Sequence, residues 1–137
     1  MRKNSRISVV VAFVLAASVA AGSWSPANAQ EPNVQRKVLR RQDLPTPGYE
    51  ALLVDVTIPV GGREGRHSHP GTLMVYVLSG HLALDYEGRP RTTYEAGDSF
   101  TVEPGKIHEG INNGEVPVRV IATFIVEKGK PLTTQVQ

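Results

Sequence analysis

His67-Ser68-His69 sets two imidazoles at positions i and i+2, and His108 follows thirty-nine residues later. On a strand, such positions share one face and stand roughly 6.5–7 Å apart along the backbone. Two rings placed this way can converge on one ion, and a barrel can bring a third from a distant strand. Neutral imidazole is the commonest protein ligand for divalent transition metals. H-x-H alone is weak evidence, since paired surface histidines arise by chance; its weight comes from its surroundings. The fourth histidine, His81, directly follows Gly80 and reads as a surface or rim residue. With no cysteine in the chain, a thiolate metal site, a cysteine nucleophile, a disulfide scaffold and a lipoprotein anchor are excluded.

The elements that must hold these histidines read as short strands punctuated by Gly and Pro. Ala51 to Ile58, Leu73 to Leu78, Leu82 to Tyr86, Thr92 to Tyr94, Ser99 to Val102 and Val116 to Val126 are the predicted strands. No stretch carries a sustained helical apolar period with caps. The expected class is all-β, a single sandwich or barrel. Residues 30–48 read as a polar arm, with Val34, Val38 and Leu39 as anchors, ending in the Leu44-Pro45-Thr46-Pro47-Gly48 turn. The arm is a candidate edge strand. The barrel domain is expected over 49–126, and 127–137 as a polar, loosely ordered tail. Gly61, Gly80 and Gly97 sit where strands reverse and a positive φ is expected. Asn112-Asn113-Gly114 suits a tight turn with left-handed residues.

Ahead of this domain lies a different kind of segment. Arg2, Lys3 and Arg6 precede an apolar run from Ile7 to Ala21, and Ala27-Asn28-Ala29 offers a processing site. That pattern is a secretory signal peptide over 1–29, with a mature start at Gln30 in the periplasm or outside the cell. The run is too short for a comfortable membrane span. Formal charge changes with it. Residues 1–29 hold three of the fifteen Lys+Arg and none of the thirteen acids, so the mature chain falls from +2 to −1. No basic stripe or aromatic platform points to nucleic acid, and no membrane attachment is expected after processing.

The glycine framework around the histidines resembles the cupin superfamily. Gly61, five residues, His67-Ser68-His69 and, further on, Gly80 follow the first cupin motif. Gly97, five residues, Glu103-Pro104-Gly105, two residues, His108, three residues and Asn112 follow the second, with Glu103 standing at a proline position. Sixteen residues separate Gly80 from Gly97, the short spacing of small bacterial cupins. The resemblance spans roughly Tyr49 to Val126 and looks like small secreted or periplasmic single-domain cupins. It implies a conserved-barrel jelly roll (a double-stranded β-helix) and a metal held by three histidines and a glutamate. It also implies sheet-edge pairing into a homodimer.

One position departs from that pattern: Leu73 occupies the glutamate's place. Residues 67, 69 and 73 share parity, which places Leu73 on the interior face. In one reading His67, His69 and His108 hold a divalent transition metal (Fe, Mn, Zn or Ni, which imidazoles do not separate) with an open position. In the other, the lost carboxylate leaves an apolar, metal-free pocket. The first is preferred, because a degenerate site has little reason to retain three histidines. Glu103 and Glu109 are weighed as compensating carboxylates, with Glu109 pointing away from His108 if the strand is regular. Leu73, Glu103, Tyr76 and Phe124 are the pocket candidates, although Met74, Tyr76 and Phe124 serve equally as core residues. Arg63 and Arg66 read as solvated loop charges near the entrance.

Two functions follow. One is a metal-dependent enzyme, a dioxygenase-like cupin acting on a small organic molecule. The other is a non-catalytic protein binding a small ligand or metal. A metal-free sugar-nucleotide enzyme fits poorly, since no base–acid constellation stands beyond the histidines.

Overall fold

A computed structural model describes residues 33–136. The expected signal peptide, its cleavage at Ala29 and the Gln30 start lie outside the described residues. Every regular element among them is a strand: β1 (Gln35–Asp43), β2 (Tyr49–Ile58), β3 (His67–Ser68), β4 (Thr72–Ser79) and β5 (His81–Tyr86), then β6 (Thr92–Glu95), β7 (Ser99–Val102), β8 (His108–Ile111), β9 (Val118–Glu127) and β10 (Thr134–Gln135). Two five-stranded antiparallel sheets result, ordered β1-β2-β9-β4-β7 and β10-β3-β8-β5-β6.

The first sheet is built from sequences that alternate in burial. Leu52, Val54, Val56 and Ile58 of β2 face inward, opposite Phe124, Ala122, Val120 and Val118 of β9. Leu73, Val75 and Val77 of β4 continue the same surface on the other side of β9. From the second sheet, Leu82, Leu84 and Tyr86 of β5 join this core. Each fully buried aliphatic side chain contributes about 1.5–3 kcal/mol, so these strands supply most of the force that closes the two sheets on each other.

The polar arm forms β1, the edge strand beside β2. Its register shifts between Val38 and Arg40. As the outermost strand it leaves both Val38 and Leu39 exposed rather than anchoring, so that of the three expected anchors only Val34 packs against the core. The tail is more ordered than expected, because β10 pairs with β3 and Leu132 packs against the core. The Asn112 turn also differs from expectation, as among the described residues only glycines have a positive φ. Asn112 is instead fully buried, donating to the Ile58 and Val116 carbonyls and accepting from the Gly114 amide.

Two glycines are required by geometry. At Gly80 φ is +77°, and an added Cβ would stand 2.8 Å from the Pro117 carbonyl oxygen. Between β3 and β4 the chain crosses from one sheet to the other at Pro70-Gly71. A Cβ at Gly71 would stand 2.0 Å from the Ile125 carbonyl oxygen, so no side chain fits at this crossing.

Candidate metal centre

β3 and β8 are neighbours in the second sheet, and their one paired position sets His67 opposite His108. His69 lies just past β3 and returns to the same inner face. The three rings are almost wholly buried, at 3–4% exposure. Ring centroids stand 4.3 Å apart for His67 and His108, 4.8 Å for His67 and His69, and 5.0 Å for His69 and His108. One ligating nitrogen from each lies within 4.8 Å of the other two. The widest separation exceeds the roughly 3–4 Å that ion–nitrogen bonds of about 2.0–2.1 Å require, so the rings must close slightly to share an ion.

Backbone carbonyls fix the orientation of all three rings. The Nδ1 of His67 donates to the Gly65 carbonyl at 2.7 Å, and that of His108 to the Lys106 carbonyl at 3.1 Å. The Nδ1 of His69 donates to the Leu132 carbonyl at 2.8 Å. A neutral imidazole that donates from Nδ1 keeps its lone pair on Nε2. Burial disfavours the charged form of His69 and of His108. It pushes His69 down to about 4, reinforced by the fields of His67, His108 and Arg36 and opposed by the Leu132 carbonyl. Burial also lowers His108, opposed by its carbonyl bond and by the negative field of Glu64. Three imidazoles whose Nδ1 is taken up by a carbonyl, each with Nε2 left to ligate, are a donor set that a divalent transition-metal ion takes.

Above the cluster lies a cavity of about 130 Å³. Leu73, Phe124, Leu82, Val56, Phe100 and Leu132 give it apolar walls, and Arg36, Glu64 and Thr133 add polar groups. Phe124 stands edge-on to His69, with centroids 4.9 Å apart. Leu73 pairs with Phe124 across β4 and β9, and both face the cavity.

The remaining candidates lie elsewhere. Tyr76 is 48% exposed on the outer face of β4, with Met74 and Leu78 beside it. Glu103 faces away from the cluster: the Tyr86 hydroxyl donates to it and Arg89 pairs with it at 3.1 Å. The bond from Tyr86, aided by Arg89, lowers the Glu103 pKa. Glu109 is buried but is held by Arg63, whose Nε and Nη2 donate to its two carboxylate oxygens at 2.9 and 2.8 Å. Neither acid compensates for Leu73. His81 is exposed at the start of β5, as expected. Three contributors were not anticipated: Arg36, Glu64 and Leu132. Glu64 is the only acid between Gly61 and His67, a signal available in the sequence. Leu132 was obscured by the polarity of its tail.

Two antiparallel sheets closed on each other, with a buried three-histidine cluster on their inner face, define a β-barrel of the double-stranded β-helix kind with a candidate metal site. Residues 54–133 match the Cupin domain family, and the chain belongs to it. It is 34% identical to Germin-like protein subfamily 2 member 1 of Arabidopsis thaliana, over 57% of this chain and 39% of that protein. The chain therefore spans well under half of that relative's length. A cupin-like protein from Thermotoga maritima superposes with a TM-score of 0.64 at 21% identity, covering 76% of each chain. A double-stranded β-helix protein from Klebsiella pneumoniae gives 0.61 at 19%, covering 82% of this chain and 90% of that one. Oxalate oxidase in complex with glycolate gives 0.61 at 19%, covering 78% and 57%.

Proposed function

We propose that His67, His69 and His108 hold one divalent transition-metal ion, and that the protein is a dioxygenase-like enzyme acting on a small organic molecule. One observation carries this reading: each Nδ1 is committed to a backbone carbonyl, which leaves three Nε2 lone pairs for an ion. When bound, a redox-active metal supplies Lewis acidity and electron exchange with dioxygen. Insertion of both oxygen atoms into the substrate needs no external reductant.

The chain's own residues then select the substrate. Leu73 and Phe124 give the cavity an apolar wall beside the histidines. A cavity of about 150 Å³ admits benzene, so 130 Å³ favours a substrate of about that size with an apolar body and a polar end. An oxalate oxidase among the structural neighbours supports oxidative chemistry on this fold. The second reading, a metal-free binding pocket, draws on Leu73, whose side chain adds apolar wall where a ligand would otherwise stand.

Elemental analysis of protein purified from its native compartment tests the metal. About one ion per chain is expected, and none would sink the reading. Dioxygen uptake that depends on an added small chelating molecule separates enzyme from binder. We also propose that the mature chain begins at Gln30 outside the cytoplasm, and that it forms a homodimer. The exposed Met74, Tyr76 and Leu78, next to edge strand β7, support the pairing.

A further inference from the structure

We propose that Glu64 supplies the anionic oxygen donor this metal centre lacks at position 73, and that Arg36 holds that carboxylate in reserve. The inference rests on the three-histidine reading above. Glu64 lies in the loop between β2 and β3, and its side chain is only 17% exposed. It lines the cavity with the histidines. Its carboxylate lies close against Gly110, where a Cβ would stand 2.6 Å from Glu64 Oε2 and displace it. Gly110 is two residues from His108 on β8, so the carboxylate lies over the same inner face, one pleat from a histidine.

Glu64 stays outside the three-nitrogen cluster because Arg36 holds it. The guanidinium of Arg36, on edge strand β1, donates to Oε1 at 2.7 Å, while Oε2 faces Gly110. Arg36 is 46% exposed and makes this contact from one nitrogen. A single contact from a half-exposed guanidinium is a weak hold on the carboxylate. A divalent ion held by three neutral imidazoles carries its full charge in a buried site, where a nearby carboxylate is attracted more strongly. The magnitudes favour transfer of Glu64 from arginine to ion. Arg36 and the ion thus compete for one carboxylate.

Competition has a signature that a structural salt bridge lacks. Removing either partner of a salt bridge has the same sign, whereas here the two removals have opposite signs. Co²⁺ binding should be measured by calorimetry and by the visible spectrum of the bound ion. The proteins to compare are the parent, Glu64→Gln, Arg36→Met and the double variant, with metal-free melts confirming each fold. Glu64→Gln should weaken binding about 10–100-fold and alter the spectrum. Arg36→Met should tighten binding, and the gain should vanish when Glu64 is also Gln. If the gain persists in the double variant, only the field of Arg36 acts and the proposal fails. It also fails if Glu64→Gln binds like the parent with the parent's spectrum. A parent that binds no Co²⁺ overturns the metal reading itself, a different result from a parent that binds independently of Glu64.

Discussion

His69 donates its Nδ1 proton to the carbonyl of Leu132, 2.8 Å away and sixty-three residues further along the chain. His67 and His108 bond to carbonyls two residues upstream, so their orientation is local. His69 depends on the C-terminal segment. Leu132 reaches it because its side chain packs on the core and β10 pairs with β3 just beyond. Ending the chain after Lys130 should therefore loosen His69 without removing any histidine. Metal affinity is expected to fall about 10–100-fold, the usual effect of losing a group that orients a ligand. Leu132→Ala, which keeps the carbonyl, should lose much less. Calorimetric titration of the two variants checks this, and equal losses would mean the packing of Leu132 matters rather than its carbonyl.

The three histidines should also act as a unit. His108→Ala removes the one donor that comes from β8 and leaves His67 and His69 on their own segment. Metal-induced stabilisation follows RT ln(1 + [L]/Kd), about 2.7 kcal/mol at a hundredfold excess over Kd. In His108→Ala that shift should disappear at concentrations saturating the parent. Thermal melts with and without Zn²⁺ or Mn²⁺ measure it. A retained shift would show that the ion binds elsewhere.

Much of this site could be read in the sequence because its residues sit in local patterns. H-x-H spacing places two rings on one face, whereas β3 and β8, two and four residues long, are too short to have stood among the predicted strands. Leu73 proved interior, but not for the reason of parity. His67 belongs to one sheet and Leu73 to the other, and both point inward because the two inner faces oppose each other. Tyr76 shows the limit of periodicity. Leu73 to Leu78 is apolar on both faces, so only register decides which face is inward, and the pairing of Val75 with Ala122 puts the odd positions inside. Glu64, Arg36 and Leu132 meet the histidines through contacts between distant segments, which no spacing along the chain encodes.

Acid should destabilise the metal-free protein before its carboxylates titrate. Burial holds His69 at about 4 in the fold, whereas an unfolded histidine titrates near 6.5. Between those values the unfolded chain binds more protons, so stability falls as pH drops. The contribution is complete above about pH 6.5 and is lost on descent toward pH 4. Allowing for water in the cavity, His69 accounts for about 1–2 kcal/mol, and His108 shifts in the same direction. Urea unfolding at pH 7 and pH 5 measures the difference, and His69→Phe should flatten it. An unchanged midpoint between the two pH values would mean that water already solvates a charged ring in the cavity.

Leu73→Glu should turn the apolar wall beside the cluster into a donor. Leu73 is 5% exposed, pairs with Phe124 and Val102 on the flanking strands, and lines the same cavity as the histidines. A carboxylate there adds charge neutralisation and a hard oxygen donor to a site whose nitrogen ligands are already placed. Without metal, the same carboxylate is desolvated among apolar side chains, and about 2–4 kcal/mol of stability should be lost or its pKa raised. The effects are coupled: metal-free stability drops, while stabilisation on adding Mn²⁺, Fe²⁺ or Zn²⁺ exceeds that of the parent. If Glu64 already serves as the anionic donor, the added gain should be modest in the parent background. It should be large when Glu64 is also Gln, because position 73 then supplies the only carboxylate within reach. Melts of the four proteins with and without metal resolve these terms. Equal metal-induced shifts in every background would show that position 73 faces the cavity but not the ion.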